Sequence, residues 1–153
     1  MNKEIIKNEI IKKASEVINS KTDYIGGGME GYAILSLIDD QGYPTSSAVT
    51  ISKADGINWL SFITHIGREK AKRVAKSNKA CVCLASREYN ISLVGTAEII
   101  TDPSIKKDHW QNIFTENYNA DSTNSEFAIL RFNTERYNIY FASDNVEEKG
   151  EIV

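Results

Sequence analysis

The sequence predicts a mainly β, α+β fold: a six- to seven-stranded antiparallel barrel with peripheral helices. Three observations predict it. Short apolar or alternating runs recur between positions 32 and 141, stretches dense in turn formers join most of them, and helical periodicity is confined to a few flanking segments. That last feature disfavours a parallel α/β sheet, in which helices alternate with strands. At 153 residues the chain fits a single domain, 1–153, able to bury a full core without a metal or disulfide.

Asn2 to Asn19 places Ile6, Ile10, Val17 and Ile18 roughly on one face and lysines and glutamates on the rest, so 1–19 reads as an amphipathic N-terminal helix. Ser20 to Gly31 contains Gly26, Gly27 and Gly28 without GxGxxG spacing or a GK[ST] ending, and reads as a connector. Tyr32 to Ile38 is an apolar strand, Asp39 to Pro44 a turn, and Thr45 to Ser52 a second strand, together a hairpin. Lys53 to Gly56 reads as another turn. It leads into a strand from Trp59 to about Thr64, so three strands form an expected antiparallel meander.

A helix over about 68–77 interrupts the meander. Ala80 to Ala85 is a nearly continuous apolar strand, Arg87 to Asn90 a turn, and Ile91 to Thr101 a further strand whose Gly95 predicts a bulge or close backbone approach. Asp102 and Pro103 are a cap and a first helical residue, opening a helix predicted to reach about Glu116. Asn119 to Ser125 is a polar loop. Phe127 to Phe132 and Tyr137 to Phe141 read as two closing strands, and 144–153 as a frayed acidic tail.

The formal net charge of −3 gives no global reason to expect a nucleic-acid partner. No run of about 18 apolar residues and no apolar leader is present, so the sequence predicts a soluble, cytoplasmic protein with no membrane partner. Cys81 and Cys83, at i and i+2 in an apolar run, share one strand face as small hydrophobes. With His65 and His109 far apart in sequence they supply too few ligands for zinc, and no metal is expected.

The most informative stretch is WLSFITHIGREKAKRVAKS, Trp59 to Ser77. A strand ends near Thr64, Gly67 breaks the pattern, and Ala71, Val74 and Ala75 recur at helical spacing beneath Arg68, Lys70, Lys72, Arg73 and Lys76. The first turn of such a helix leaves N–H groups unpaired and carries partial positive charge, so Thr64, His65, Arg68 and Lys70 beside it would make a phosphate pocket. An ordinary surface helix with solvated lysines has the same spacing.

In order, AILSLIDDQGYPTSSAVTI, WLSFITHIGREKAKRVAKSN and ISLVGTAEIITDP resemble the FMN-binding split barrels related to pyridoxamine 5′-phosphate oxidase, in their general stress protein branch. The likeness spans about Tyr32 to Phe141. It implies an FMN cofactor at each of two sites shared across a homodimer interface. It implies that Ser47, Ala48, Val49 and Thr50 border the flavin ring, that Thr64 and His65 match a Thr-Asn pair before the phosphate turn, and that Lys70 is the phosphate lysine. Arg68 stands one residue before the position where many members carry arginine, and Glu69 occupies it. Ser47 replaces an arginine of the oxidases, and the ending ERYNIYFASDNVEEKG has Arg136 but no substrate-binding histidine. The resemblance therefore does not extend to oxidation of vitamin B6.

Trp110 either packs its helix on the barrel or reaches the partner's cofactor, and is placed on the dimer side; Trp59 is read as core or rim, His109 as a surface residue. Apolar segments at Ile91 to Val94, Ile99 to Ile100 and Phe127 to Leu130 exceed what a small barrel needs and supply a physical motive for the dimer. No nucleophile or proton-relay motif stands out. The expected function is that of a flavoprotein, an oxidoreductase acting on an unidentified small molecule. The alternatives are a non-catalytic or stress-response protein holding FMN, haem or a deazaflavin, and an interaction domain whose basic helix contacts an anionic partner such as RNA.

Overall fold

The computed structural model describes residues 2–22 and 31–153; the glycine-rich connector expected at Ser20 to Gly31 lies largely outside them. Its elements run α1 (Lys3–Lys21), β1 (Tyr32–Ile38), β2 (Pro44–Thr50), β3 (Lys53–Asp55), β4 (Trp59–His65), α2 (Glu69–Lys76), β5 (Lys79–Ala85), β6 (Tyr89–Ile100), α3 (Pro103–His109), α4 (Asn112–Tyr118), β7 (Phe127–Phe141) and β8 (Val146–Glu151). All the strand pairings are antiparallel.

The strands form one sheet in the order β2-β1-β5-β6-β7-β4-β3, with β8 added to β7. β2 and β3 sit at opposite ends of that order, yet only Ile51 and Ser52 separate them in sequence. The sheet must therefore curl until its two ends meet, which is how a barrel disposes of its edges. Ser52 seals the junction: its N–H donates to the Ser61 carbonyl at 2.8 Å, and the two buried hydroxyls lie 2.8 Å apart. The core inside the curl is apolar, with Leu35, Leu60, Val82, Ile91, Leu93, Leu130, Phe132 and Ile139 each 1 % exposed or less. On α1, Ile10, Ala14 and Ile18 recur at i, i+4 and i+8 and cover one mouth of it.

The split-barrel class stands, and several local expectations change. The turn expected at Lys53 to Gly56 contains β3, which makes an eight-stranded sheet. β4 pairs with β3 and β7 rather than β2, so the first three predicted strands are not a meander. The two closing strands are one 15-residue strand, β7, whose first half pairs with β4 and second half with β8. The tail expected to fray is β8, its exposed Glu147, Lys149 and Glu151 alternating as befits an edge.

Gly95 behaves as expected. The β6–β7 register shifts between Val94 and Gly95, and a Cβ at Gly95 would lie 2.0 Å from the Asn133 carbonyl oxygen. Only glycine lets the two backbones approach there. Most of the apolar motive for a dimer falls away: Ile91, Leu93, Phe127, Ala128, Ile129 and Leu130 are buried in the chain's own core, and only Val94, Ile99 and Ile100 among the apolar residues of those segments stay half-buried. Cys81 and Cys83 do share a face, the outer one, half-buried opposite Ala80, Val82 and Leu84. Burial pushes the Cys83 thiol pKa up.

Candidate functional site

β4 ends at His65, and the chain turns through Ile66 and Gly67 before α2 begins. The turn is held tightly. His65 Nδ1 accepts the Gly67 N–H at 3.1 Å, the His65 carbonyl accepts the Arg68 N–H at 3.1 Å, and the Ile66 N–H donates to the Glu126 carbonyl at 2.8 Å. Because Nδ1 is the acceptor, the imidazole carries its proton on Nε2, which lies 3.7 Å from Glu126 Oε2. The ring edge rests on Phe127, with centroids 5.3 Å apart. A Cβ at Gly67 would come within 3.3 Å of His65 Cε1, so the turn is built around a glycine.

α2 then starts without a side-chain cap, its N-cap Arg68 making no capping bond. The first bond of the helical ladder runs from Lys72 N–H to the Arg68 carbonyl at 3.3 Å. The amides of Glu69, Lys70 and Ala71 before it have no intrahelical acceptor. They stand at the positive end of the helix dipole. Of the nearby charges, Glu69 lies 3.9 Å from Lys72, whereas Arg68, Lys70 and Arg73 make no ion pair among the described residues.

These groups line a cleft of about 900 Å³. Eight of the nine residues singled out in the sequence meet there: Ser47, Ala48, Val49 and Thr50 along β2, Thr64 and His65 at the end of β4, and Arg68 and Lys70 at α2. Their convergence follows from topology. β2 is one end of the curled sheet and β4 lies next to the other, so closure brings the two strands to opposite walls.

Trp110 is the exception, since it does not line the cleft. Nor do α3 and α4 form the single helix expected to reach Glu116: the backbone turns extended at Trp110 (φ −82°, ψ 128°), and α4 restarts at Asn112. The Trp110 ring packs against Phe114, Tyr118 and Phe127 at 6.0, 6.5 and 5.9 Å, and its Nε1–H donates to Thr115. Gln111 pins the break by donating from Nε2 to the carbonyls of Thr22 and Ser52.

That break delivers residues the sequence reading missed. Phe114, Asn117 and Tyr118 on α4 line the cleft together with Phe127 and Tyr32, so four aromatic rings share it with the cations. Burial raises the Tyr118 phenol pKa, and Arg68 partly opposes the shift. Two signals were available: Phe114 and Tyr118 are i, i+4 on a helix, and Arg73 lies one turn beyond Lys70. His109 corrects the expectation of a surface residue. It is 6 % exposed and stacks on Trp59 at 5.8 Å, while the Arg131 guanidinium lies over the Trp59 ring, 4.4 Å from its centroid. Burial, with Lys53 adding to it, holds the His109 pKa down.

What the cleft can do is bind an anion at one end and a flat, partly apolar body beside it. Among the described residues no cluster of potential metal ligands is present, and no helix is long and apolar enough to cross a membrane.

The family model described as pyridoxamine 5′-phosphate oxidase like matches residues 29–149. No curated protein matches the sequence significantly. Among solved structures, a Clostridium acetobutylicum protein related to general stress protein 26 of B. subtilis superposes with a TM-score of 0.77 at 21 % identity, covering 94 % of this chain and 95 % of its own. General stress protein 26 from Bacillus anthracis gives 0.69 at 18 %, covering 94 % and 97 %. A pyridoxamine 5′-phosphate oxidase-related, FMN-binding protein from Nostoc punctiforme gives 0.64 at 10 %, covering 99 % and 96 %. At these identities the structural likeness establishes the fold.

Proposed function

Because the chain belongs to the pyridoxamine 5′-phosphate oxidase-like family, we propose that its 900 Å³ cleft binds FMN and that the protein is a flavin-dependent oxidoreductase. One observation carries the reading: three cations without ion-pair partners among the described residues, an uncapped helix start and several aromatic rings line the same cleft. A phosphate monoester needs that combination, because oriented N–H donors and ammonium groups together repay its desolvation. Lys70 and the Glu69 and Lys70 amides would hold the phosphate, and Arg68 and Arg73 would neutralise it. Ser47 to Thr50 would border the ring, with Tyr118 and Phe127 giving it apolar cover. Bound there, FMN would supply the redox chemistry, and the chain contributes position and field.

Within the same proposal the working unit is a homodimer of single-domain chains, cytoplasmic, with its two sites at the shared interface. The outer face of the sheet, where Ile34, Cys81, Cys83 and Val94 lie half-buried, is the surface available for it. Family resemblance, rather than the chain's apolar segments, now motivates that pairing. A second reading, flavin storage or sensing without turnover, draws on the cleft's residues: His65 already spends Nδ1 on Gly67, and the one carboxylate among the lining residues is Glu69. No ready general base is left over among the described residues of the cleft.

The visible spectrum of freshly purified protein tests the cofactor. Absorption bands of oxidised flavin should be present, or should appear when stripped protein is titrated with FMN, and light scattering of that sample should give twice the chain mass. A protein that takes up no FMN refutes the reading, and a flavin-loaded monomer refutes the shared site. Reduction of the bound flavin by NADH or NADPH, followed by reoxidation with an added acceptor, separates turnover from storage.

A further inference from the structure

A second cavity of about 500 Å³ lies on the far side of Phe127, whose ring borders both spaces. Pro103, Lys106, Lys107, Ser122 and Ser125 help line it. Lys106 is the unusual wall. Its side chain is 5 % exposed, yet its ammonium makes no ion pair among the described residues. Its hydrogen bond runs from Nζ to the Asn124 carbonyl, 2.7 Å long. An ammonium has three N–H donors, so two remain without a protein partner among the described residues.

The acids on the flanking segments are committed elsewhere. Asp102 accepts from the Ser104 and Ile105 amides and the Ser104 hydroxyl. Asp121 accepts from the Thr123 amide and hydroxyl; those bonds, with a smaller contribution from Lys106, hold its carboxyl below the usual range. The hydroxyls of Ser122 and Ser125 make no hydrogen bond within the described residues. Lys107 brings a second ammonium to the same wall, also without an ion pair among the described residues. Two ammonium groups and the Ser122 and Ser125 hydroxyls thus line a cavity that also has an apolar side.

We propose that this cavity is a second binding site, for a small organic oxyanion. Its carboxylate or phosphate head sits on Lys106 Nζ and the hydroxyls of Ser122 and Ser125, and its apolar body lies against Pro103 and Phe127. If Lys106 served only to tie the 119–125 loop to α3 through the Asn124 carbonyl, the site would take no ligand.

Amide NMR on the isotope-labelled full chain decides between these, with benzoate, phenyl phosphate and neutral benzyl alcohol titrated at constant ionic strength. At least one of the two anions should give saturable shifts at Lys106 and over residues 122–127, and benzyl alcohol should give none. The tighter of the two anions identifies the head group. Lys106→Met should weaken that binding roughly tenfold or more, the loss expected of a charge-assisted bond. Lys70→Ala should leave it unchanged, which separates this site from the cleft. The proposal is overturned by an absence of saturable shifts, by equal binding of benzyl alcohol, or by shifts confined to Glu69–Arg73. A folded Lys106→Met protein that binds as tightly as the parent also overturns it. Should that variant not fold, the parent titration decides alone.

Discussion

α2 and α3 both leave the end of a strand, and their first turns are finished in opposite ways. At α3, Asp102 caps the helix: its carboxylate accepts the Ser104 N–H at 2.9 Å and the Ile105 N–H at 3.2 Å, and Pro103 removes a donor that would have had no partner. At α2, Arg68 stands at the cap position and caps nothing, Glu69 is the one acid in the first turn, and the orphan amides open on the large cleft. The difference teaches that an unfinished helix start is informative when it is placed beside unpaired cations. Local stability would favour a Ser, Asp or Asn at position 68, and the chain forgoes it there. The cleft is the compensation.

Exchanging the two designs should produce the largest effect. Arg68→Asp supplies α2 with the cap it lacks, so apo-protein stability should rise by about 0.5 to 1 kcal/mol in denaturant unfolding. The same change puts a carboxylate where the proposed phosphate would sit, and FMN affinity should fall by roughly a hundredfold or more. A variant that gained stability and kept its flavin would separate the uncapped turn from the site. Next in size, Gly67→Ala places a methyl against the His65 ring and loosens the turn; FMN titration should show weaker binding by roughly tenfold, with a smaller change in melting temperature.

Asp102→Ala is the converse test and should move stability alone, lowering Tm by a few degrees while FMN affinity stays at the parent value. The Ser104 hydroxyl and the two amides depress the Asp102 pKa below its ordinary value of 3.8. Its contribution is therefore complete above pH 3.8 and is lost as pH falls through the lower folded value. A comparison of Tm against pH for parent and Asp102→Ala should show the gap closing only on the acid side. His109, outside both helix starts, should give the smallest effect. Its pKa lies below 6.5 in the folded chain, so the folded state loses stability as pH drops from 6.5 toward that lower value and loses no more beneath it. His109→Phe should flatten that stretch of the curve.

The sequence disclosed the two designs unevenly. Asp102-Pro103 is a local signal, and its cap forms as read because the partners lie within three residues. The cleft was legible in part for a related reason: Thr64, His65, Arg68 and Lys70 fall within one strand-turn-helix unit, so short-range pattern sufficed for them. Ser47 to Thr50 came from resemblance, since nothing local says that β2 will face α2 across a closed sheet. The misses are tertiary. Trp110 and Gln111 carry no helix-breaking chemistry; α3 ends there because the indole packs among Phe114, Tyr118 and Phe127 and because the amide reaches Thr22 and Ser52. β7 looked interrupted at Asn133 to Arg136, where polar residues resemble a turn, yet the Thr134 N–H finds the Asn58 carbonyl at 3.0 Å and the bulge at Gly95 absorbs the irregularity. β8 looked like a tail because an edge strand with charged outward positions has no apolar stripe to reveal it.

The central claim is that the uncapped α2 turn with Lys70 recognises a phosphate, and comparing FMN with riboflavin measures it directly. Both ligands carry the same isoalloxazine ring and differ by the phosphate, so the ratio of their affinities isolates the phosphate end. Fluorescence titration of the parent should give a ratio of roughly ten to a hundred in favour of FMN, corresponding to about 1.5 to 3 kcal/mol for a charge-assisted bond. In Lys70→Ala the ratio should shrink toward one, with riboflavin binding unchanged. Equal binding of FMN and riboflavin by the parent, or an undiminished ratio in Lys70→Ala, would contradict the account.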